Sequence, residues 1–576
     1  MIYYKTALAT CIFLTFLSFL SCRQGEKKEV ADMVISGGSI YTMDEKNPQV
    51  EAVAVKDGRI LFAGSEEEAR AYISQETTLI DLQGKTMTPG FIESHGHMMG
   101  LGYSQLNLDL TKIRNYDEMV QLVAEAVEKT EPGLWILGRG WHQSKWDTVP
   151  VPLVKGFQTH EKLSAISPDN PVYLRHASGH AGFANAKAME IAGVNQLSIE
   201  GFTEDMEGGE IIRDGKGNPT GIFSERAQGI IARHLPESDP EKDKQALELA
   251  IKACQRNGIT SFHDAGVGTK TMNLYASFKD QGKLGVRMYV MISGPDRELV
   301  KEWYARGPMV DTADHLFTVR SIKLNCDGAL GNRGAWLLEE YSDMPGEFGM
   351  VTLPMDYVLE TSVKALEHGF QVCSHAIGDR ANREVLDRYQ QALEDHPSVT
   401  DHRFRIEHAQ HIHPDDIPRF GQMGVIAAMQ AIHMSSDRPW AIDRLGEQRI
   451  KESAYVWQKL LKSGAVIING TDVPVEPIDP IASFYASVTR KTLKETPEGG
   501  YEPDQKMSRA EALRSYTLDA AFGEFAEHVK GSIEPGKLAD FTVFTQNLMT
   551  VPDDQILDTE VAMTIFNGEI VYEKAN

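Results

Sequence analysis

A chain of 576 residues can bury a large core, and its 42% hydrophobic and 24% charged content is that of a globular protein, which excludes a wholly disordered chain. Its 82 acidic residues against 58 basic ones leave a formal net charge of -24. That balance argues against a nucleic-acid surface, which needs clustered Lys and Arg, and describes a solvated acidic exterior.

The N-terminus reads as an export signal. Lys5 precedes the apolar run Ala7 to Leu20, too short for a spanning helix, and the run ends Phe19-Leu20-Ser21-Cys22 before the polar Arg23-Gln-Gly-Glu-Lys-Lys28. Residues 1–22 resemble a bacterial lipoprotein signal with Cys22 as the lipidated first residue. The expected protein is therefore exported, periplasmic or at the cell surface, and held to a membrane by a lipid anchor alone. An ordinary secretory signal or an anchor helix is the plainer alternative. With Cys11 lost and Cys22 acylated, Cys254, Cys326 and Cys373 remain, an odd trio that makes no disulfide framework.

Residues 33–90 alternate short β-type runs with turns: Met33-Val-Ile-Ser36, Ala52-Val-Ala-Val55 and Arg59-Ile-Leu-Phe-Ala63 are punctuated by Gly37-Gly38, Asp57-Gly58 and Gln83-Gly84. This β module has no second layer of its own. The C-terminal part, residues 526–576, offers one in Asp540-Phe-Thr-Val-Phe544, Val561-Ala-Met-Thr-Ile565 and Glu569-Ile-Val-Tyr572. The two chain ends are expected to pair into one discontinuous β-sandwich.

From Phe91 to residue 525, apolar strand-like runs alternate with amphipathic stretches, the pattern of parallel βα units, and the expected fold is α/β with a TIM-type barrel. Eight candidate strands end at His95-Gly-His97, His263, Ile292, Lys323, His375, His408, Met429 and Asn469. The first connection is far longer than a βα loop, so residues 110 to 245 read as an insertion.

Ionisable residues stand at the carboxyl ends of these strands, where barrel enzymes place their sites: His95, His97, Lys323, His375, His408 and Asp472. In a strand, residues i and i+2 face one side, so His95 and His97 converge with Gly96 leaving room. The same phase groups Phe404, Ile406 and His408, and Ser321, Lys323 and Asn325. Singly each has a bland reading, such as Lys323 paired with Asp327, or Asp472 as a turn residue before Pro474. As a set they have a chemical logic. His95, His97 and Asp472 would hold one cation, His375 and His408 another, and Lys323 carbamylated by carbon dioxide would bridge both. A hydroxide between the ions, its pKa lowered to roughly 7, would be the nucleophile. Asp472 would carry its proton to the leaving group.

At these residues the chain resembles the amidohydrolase superfamily, and within it the amidohydrolase-3 group. The matching stretches are Pro89-Gly-Phe-Ile-Glu-Ser-His-Gly-His97, Gly217-Asn-Pro-Thr-Gly-Ile-Phe-Ser-Glu225, Ile322-Lys-Leu-Asn-Cys-Asp-Gly-Ala-Leu-Gly331, His375-Ala-Ile-Gly-Asp379, Ile406-Glu-His408, Asp472-Val-Pro-Val-Glu476 and Gly531-Ser-Ile-Glu-Pro-Gly-Lys-Leu-Ala-Asp-Phe541. The resemblance implies a distorted (β/α)8 barrel, zinc or a similar divalent metal, and hydrolysis of an amide-like bond. Two runs depart from the family: Gly140-Trp141-His142 stands for Gly-Trp-Asp, and Ser178-Gly179-His180 for Asp-Gly-His. Both lie in the insertion, expected over the barrel mouth, where His180 is a candidate to polarise the scissile carbonyl. Arg333, Glu225 and Gln430 match motifs and read as structural or as outer partners of the site residues.

The function expected is metal-dependent hydrolysis of a small-molecule carbon–nitrogen bond outside the peptide backbone, in an N-acyl or N-formyl amine. A deaminase or cyclic-amide hydrolase is the rival among enzymes, and a silent binding lipoprotein the rival outside them. A homodimer is left open.

Overall fold

The computed structural model describes residues 29–194, 208–237 and 239–575, so the expected lipidation position Cys22 lies outside the described residues. Five strands open the chain: β1 (Met33–Tyr41), β2 (Gln49–Lys56), β3 (Arg59–Gly64), β4 (Thr78–Asp81) and β5 (Thr86–Pro89). The barrel begins with β6 (Phe91–Gly96). Next come β7 (Leu108–Asp109), β8 (Ile136–Trp141), β9 (Val172–His176), β10 (Ala181–Ala184), β11 (Gly209–Arg213) and β12 (Pro219–Glu225). The barrel resumes with β13 (Ile259–Val267), β14 (Arg287–Ser293), β15 (Phe317–Asn325), β16 (Gln371–Ala376), β17 (Arg405–His408), β18 (Ile426–Met429) and β19 (Ile467–Asn469). The chain closes with β20 (Phe541–Phe544), β21 (Val561–Phe566) and β22 (Glu569–Glu573).

The eight expected barrel strands all form, and each pairs in parallel with its neighbour in the order β6, β13, β14, β15, β16, β17, β18, β19. Beyond β19 the chain returns to β6 through the Asp472 N–H to the His95 carbonyl and the His97 N–H to the Val473 carbonyl, both 2.8 Å. Gly470 makes that return possible, because a Cβ there would lie 2.1 Å from Glu93 Oε1 and 2.8 Å from the His95 nitrogen. Gly96 is required in the same way, since its Cβ would meet the Phe262 ring at 2.6 Å.

The chain ends join by antiparallel pairing of β5 with β20, so the N-terminal and C-terminal strands form one body. Its hydrogen-bonded connectivity is that of a single mixed sheet, β22-β21-β20-β5-β1-β2-β3 with β4 on β1, rather than two. The sheet curls back on itself. Ile60 donates to the Lys537 carbonyl, Gly536 to Ile60 and Ala539 to Gly58, enclosing Ile35, Val53, Phe541, Val543 and Ile565 in one apolar core. Arg287, at the amino end of β14, bolts this body to the barrel floor through two bonds to Asp540, of 2.6 and 2.9 Å.

The insertion is a domain with a six-stranded mixed sheet, β11-β12-β10-β9-β8-β7, and its own apolar clusters around Trp141 and Phe223. It ends earlier than the sequence suggests. Pro240–Arg256 is a barrel helix, N-capped by Asp239 and packed against β13.

Candidate metal centre

The predicted side chains meet at the carboxyl end of the barrel. His95 Nε2 and His97 Nε2 lie 3.7 and 3.2 Å from the same oxygen, Asp472 Oδ1. Ligand atoms of these three residues fall within 4.8 Å of one another, and no other such group of three occurs among the described residues. Lys323 Nζ is 3.3 Å from His95 Nε2. The His408 ring centroid is 4.8 Å from that of His95 and 4.5 Å from that of His375. All are buried except His97, which is partly exposed. Asp472 turns toward β6 with a left-handed φ of 58°, a backbone state uncommon outside glycine.

Three of the four histidines have one ring nitrogen engaged away from the centre. His95 Nδ1 is hydrogen-bonded to Glu407 Oε2, His97 Nδ1 lies 3.1 Å from the Ala265 carbonyl, and His408 Nδ1 is 2.7 Å from Gln430 Oε1. His375 Nε2 faces Asp327 Oδ1 at 3.3 Å without aligned hydrogen-bond geometry. Such outer partners fix the tautomer and ring orientation of metal-binding imidazoles, leaving the other nitrogen for the ion. Glu93 ties two ligand-bearing segments together, accepting from the His95 N–H at 3.2 Å and from the Thr471 N–H and hydroxyl at 2.7 Å each. Burial pushes its carboxyl up to about 8.

Electrostatics suit a cation. Burial holds His95, His375 and His408 well below the ordinary histidine range, with neighbouring positive groups adding to it, so these imidazoles are neutral as ligands must be. Burial also lowers Lys323, toward the neutral amine that can take up carbon dioxide. At Asp472 burial works upward, but the close His97 and His95 imidazoles, 3.2 and 3.7 Å from Oδ1, override it and hold the carboxyl below its ordinary range. Asp472 Oδ1 is buried without an aligned hydrogen bond among the described residues. A buried carboxylate oxygen left in this state between two imidazoles fits a divalent ion.

Two expectations need correction. Asp327 pairs with His375, not Lys323; it accepts from the Trp336, Ile377 and Gly378 N–H groups, and burial pushes it up to about 7. His408 does not reach the centre by strand phase: Phe404 and Ile406 point outward into the barrel–helix core, the Phe404 ring tilted against Tyr389 with centroids 4.8 Å apart. The inward face of β17 carries Arg405 and Glu407, and His408 is brought in by a left-handed φ of 72° at the strand end. Of the two readings left for Gln430, the outer-partner one fits, since its Oε1 lies 2.7 Å from His408 Nδ1.

The insertion supplies one wall of the cavity above these residues, with His142, Lys145, Ser178 and His180 facing Trp440 and Glu476 from the barrel side. His180 Nδ1 is 2.7 Å from Glu225 Oε2, and Asn332 donates to the other Glu225 oxygen at 2.8 Å. Burial lowers the His180 imidazole, but the Glu225 charge and hydrogen bond outweigh it and leave it raised, a hydrogen-bond donor 5.2 Å between ring centroids from His375. Ser178, one of the two departures, accepts from the His180 N–H at 3.2 Å and bonds His176 Nδ1 at 2.8 Å. His142, the other, packs between His176 and Trp440.

The chain is similar to known proteins along most of its length. The sequence profile of the amidohydrolase family matches residues 78–572. A Bacillus subtilis protein named "Putative amidohydrolase YtcJ" is 33% identical over 549 residues, 94% of this chain and 99% of that protein. N-substituted formamide deformylase of Arthrobacter pascens is 26% identical over 557 residues, 95% and 99% of the two chains. A crystal structure of an uncharacterized metal-dependent hydrolase from Pyrococcus horikoshii superposes with a TM-score of 0.71 at 25% identity, covering 91% of this chain and 99% of that one.

Proposed function

The chain belongs to the amidohydrolase family of metal-dependent hydrolases acting on carbon–nitrogen bonds, and from that premise we propose that its substrates are N-acyl or N-formyl amines. The observation that carries the reading is the convergence of His95, His97 and Asp472 on one point with the outward nitrogens of both imidazoles already engaged. These three would hold a divalent cation, zinc or a similar ion. Carbamylated Lys323, with His375 and His408, would complete a second position.

When bound, the cation supplies Lewis acidity and activates water at neutral pH. Asp472, ionised and with Oδ1 beside both imidazoles, has a second carboxylate oxygen that can take up the proton of the attacking water and return it to the amine nitrogen as the C–N bond breaks. His180, oriented by Glu225 and Ser178, donates a hydrogen bond to the carbonyl oxygen as charge develops there. Support for formyl and small acyl groups comes from the deformylase, which aligns along nearly the whole chain.

Elemental analysis and a panel of N-formyl amines, N-acyl amines, cyclic amides and aminated heterocycles test the reading. The purified protein is expected to hold one or two equivalents of divalent metal and to hydrolyse the first two classes. His95→Ala and His97→Ala should lose metal and turnover while remaining folded, because the barrel layers do not depend on the ion. Turnover confined to the last two classes would overturn the substrate assignment, and a metal-free active protein the whole reading.

We also propose that Cys22 carries the membrane anchor. No helix among the described residues is long and apolar enough to cross a membrane. Cys22→Ser is expected to move the protein from the membrane to the soluble fraction, and unchanged fractionation would defeat the proposal.

A further inference from the structure

A chain of buried charges runs from His95 through the barrel interior to the segment that leads to β20. Arg405 donates to Glu407 Oε1 at 2.7 Å and to Oε2 at 2.9 Å, to the Ser94 carbonyl at 2.7 Å and to His263 Nδ1 at 3.0 Å. His263 Nε2 is 3.2 Å from Glu524 Oε1, and Lys530 Nζ lies 2.7 Å from that same oxygen and from Ser261 Oγ. None of His95, Glu407, Arg405, His263, Glu524 and Lys530 is more than 8% exposed.

We propose that Glu407, clamped by Arg405, is the positioning residue that makes His95 a ligand through Nε2, and that the clamp is braced from the barrel floor by Glu524 and Lys530. The proposal rests on the reading that His95 holds a cation.

The tautomers follow from donor counting. A guanidinium only donates, so Glu407, receiving it on both oxygens, is a carboxylate. A carboxylate only accepts, so the proton between Glu407 Oε2 and His95 sits on Nδ1. His95 Nε2 is then left with its lone pair toward Asp472 and Lys323. The same count gives His263 a lone pair at Nδ1 and places its proton on Nε2, the atom beside Glu524. Two carboxylates, Glu407 and Glu524, thus balance two cations, Arg405 and Lys530, across a neutral imidazole. A buried array of this kind carries a desolvation cost that apolar side chains would avoid. Here it defines a geometry: Arg405 and Glu407 share the inward face of β17 at i and i+2, and Ser261 and His263 that of β13. Glu524 and Lys530 belong to no strand, so the bracing arrives only once the chain beyond the barrel has docked.

The test is zinc affinity of the full-length protein, stripped and titrated against a chromophoric chelator, for wild type, His97→Ala, Glu407→Gln, Glu407→Asp and Glu524→Gln. An amide at 407 can present its NH2 to His95 and reverse the tautomer. Glu407→Gln is therefore expected to weaken zinc about 10- to 100-fold, the usual effect of removing an outer partner, and to alter the visible spectrum of the cobalt(II)-loaded protein. Glu407→Asp, which keeps the charge, should recover part of the loss, and Glu524→Gln should weaken zinc in the same direction by a smaller factor. Melting temperatures of the stripped proteins separate lost positioning from lost folding. Wild-type affinity and an unchanged cobalt spectrum in Glu407→Gln would overturn the positioning role; if that variant does not fold, wild-type affinity in Glu407→Asp does so. Wild-type affinity in Glu524→Gln would overturn the bracing. Should wild type and His97→Ala bind zinc alike, the metal-centre reading itself fails, and this proposal with it.

Discussion

Asp472 stands where ligand and proton carrier coincide. Its Oδ1 is within 3.7 Å of both His95 Nε2 and His97 Nε2, and these two close imidazoles keep it ionised against burial. Asp472→Asn is nearly isosteric, so the fold and part of the metal affinity should persist while proton transfer is lost. General acid–base groups contribute on the order of a hundred- to ten-thousand-fold, and kcat is expected to fall by at least the lower figure, measured on any substrate the panel finds. Turnover within a few-fold of wild type would remove Asp472 from the proton path. This residue and the His95-Gly-His97 pair are legible in the sequence because two histidines flanking a Gly, and an Asp just past an apolar run, converge on one point when they stand at strand ends. His408 is legible by motif but not by phase: the left-handed turn that swings it inward leaves no mark in a sequence where His402, His411 and His413 stand nearby.

Among the elements, all eight barrel strands are legible because their apolar runs end in punctuating polar residues, and only their bounds move by a few positions. The inner face of β17 is not. Arg405 and Glu407 alternate with Phe404 and Ile406, and charge alternating with apolar side chains is how a strand with one solvated face reads. Here the charged face is the inside of the barrel, where Arg405 and Glu407 are each 0% exposed, a reversal of the usual apolar filling. No periodicity rule separates the two cases. What decides is partner arithmetic across distant segments, Glu407 with His95 and Arg405 with His263, which sequence order hides. The insertion is visible as an overlong connection, but its end is not, because the Asp239 cap and Pro240 that start a barrel helix look the same as those of any helix.

For the molecule as a whole, the pairing of the chain ends has an energetic consequence at the barrel floor. The curled sheet takes β5 from one end and β20 from the other, so it closes a loop of chain that contains the whole barrel. Its attachment runs through the Arg287 guanidinium, which is 1% exposed, takes both Asp540 oxygens, donates to the Asp314 carbonyl at 3.0 Å and stacks 4.8 Å from the Phe566 ring. Asp540 accepts the Asn567 N–H at 2.9 Å as well, so a single carboxylate joins β14, the start of β20 and the β21–β22 turn. Removing it leaves a buried guanidinium with only carbonyl partners, and breaking a buried pair from one side costs about 3–5 kcal/mol. Asp540→Ala is therefore expected to lower the urea midpoint substantially, Asp540→Asn less because the amide still accepts from Arg287, and neither should change kcat per folded molecule, since the pair lies at the opposite end of the barrel from His95. Equilibrium unfolding of the three proteins, with turnover measured on the folded fraction, checks both halves. A midpoint for Asp540→Ala equal to wild type would mean that the sheet is held to the barrel by apolar packing alone. A fall in kcat at unchanged stability would mean that the floor communicates with the centre by a route other than folding, and the Lys530–Glu524–His263 chain, which ends beside this pair, would be the first place to look for it.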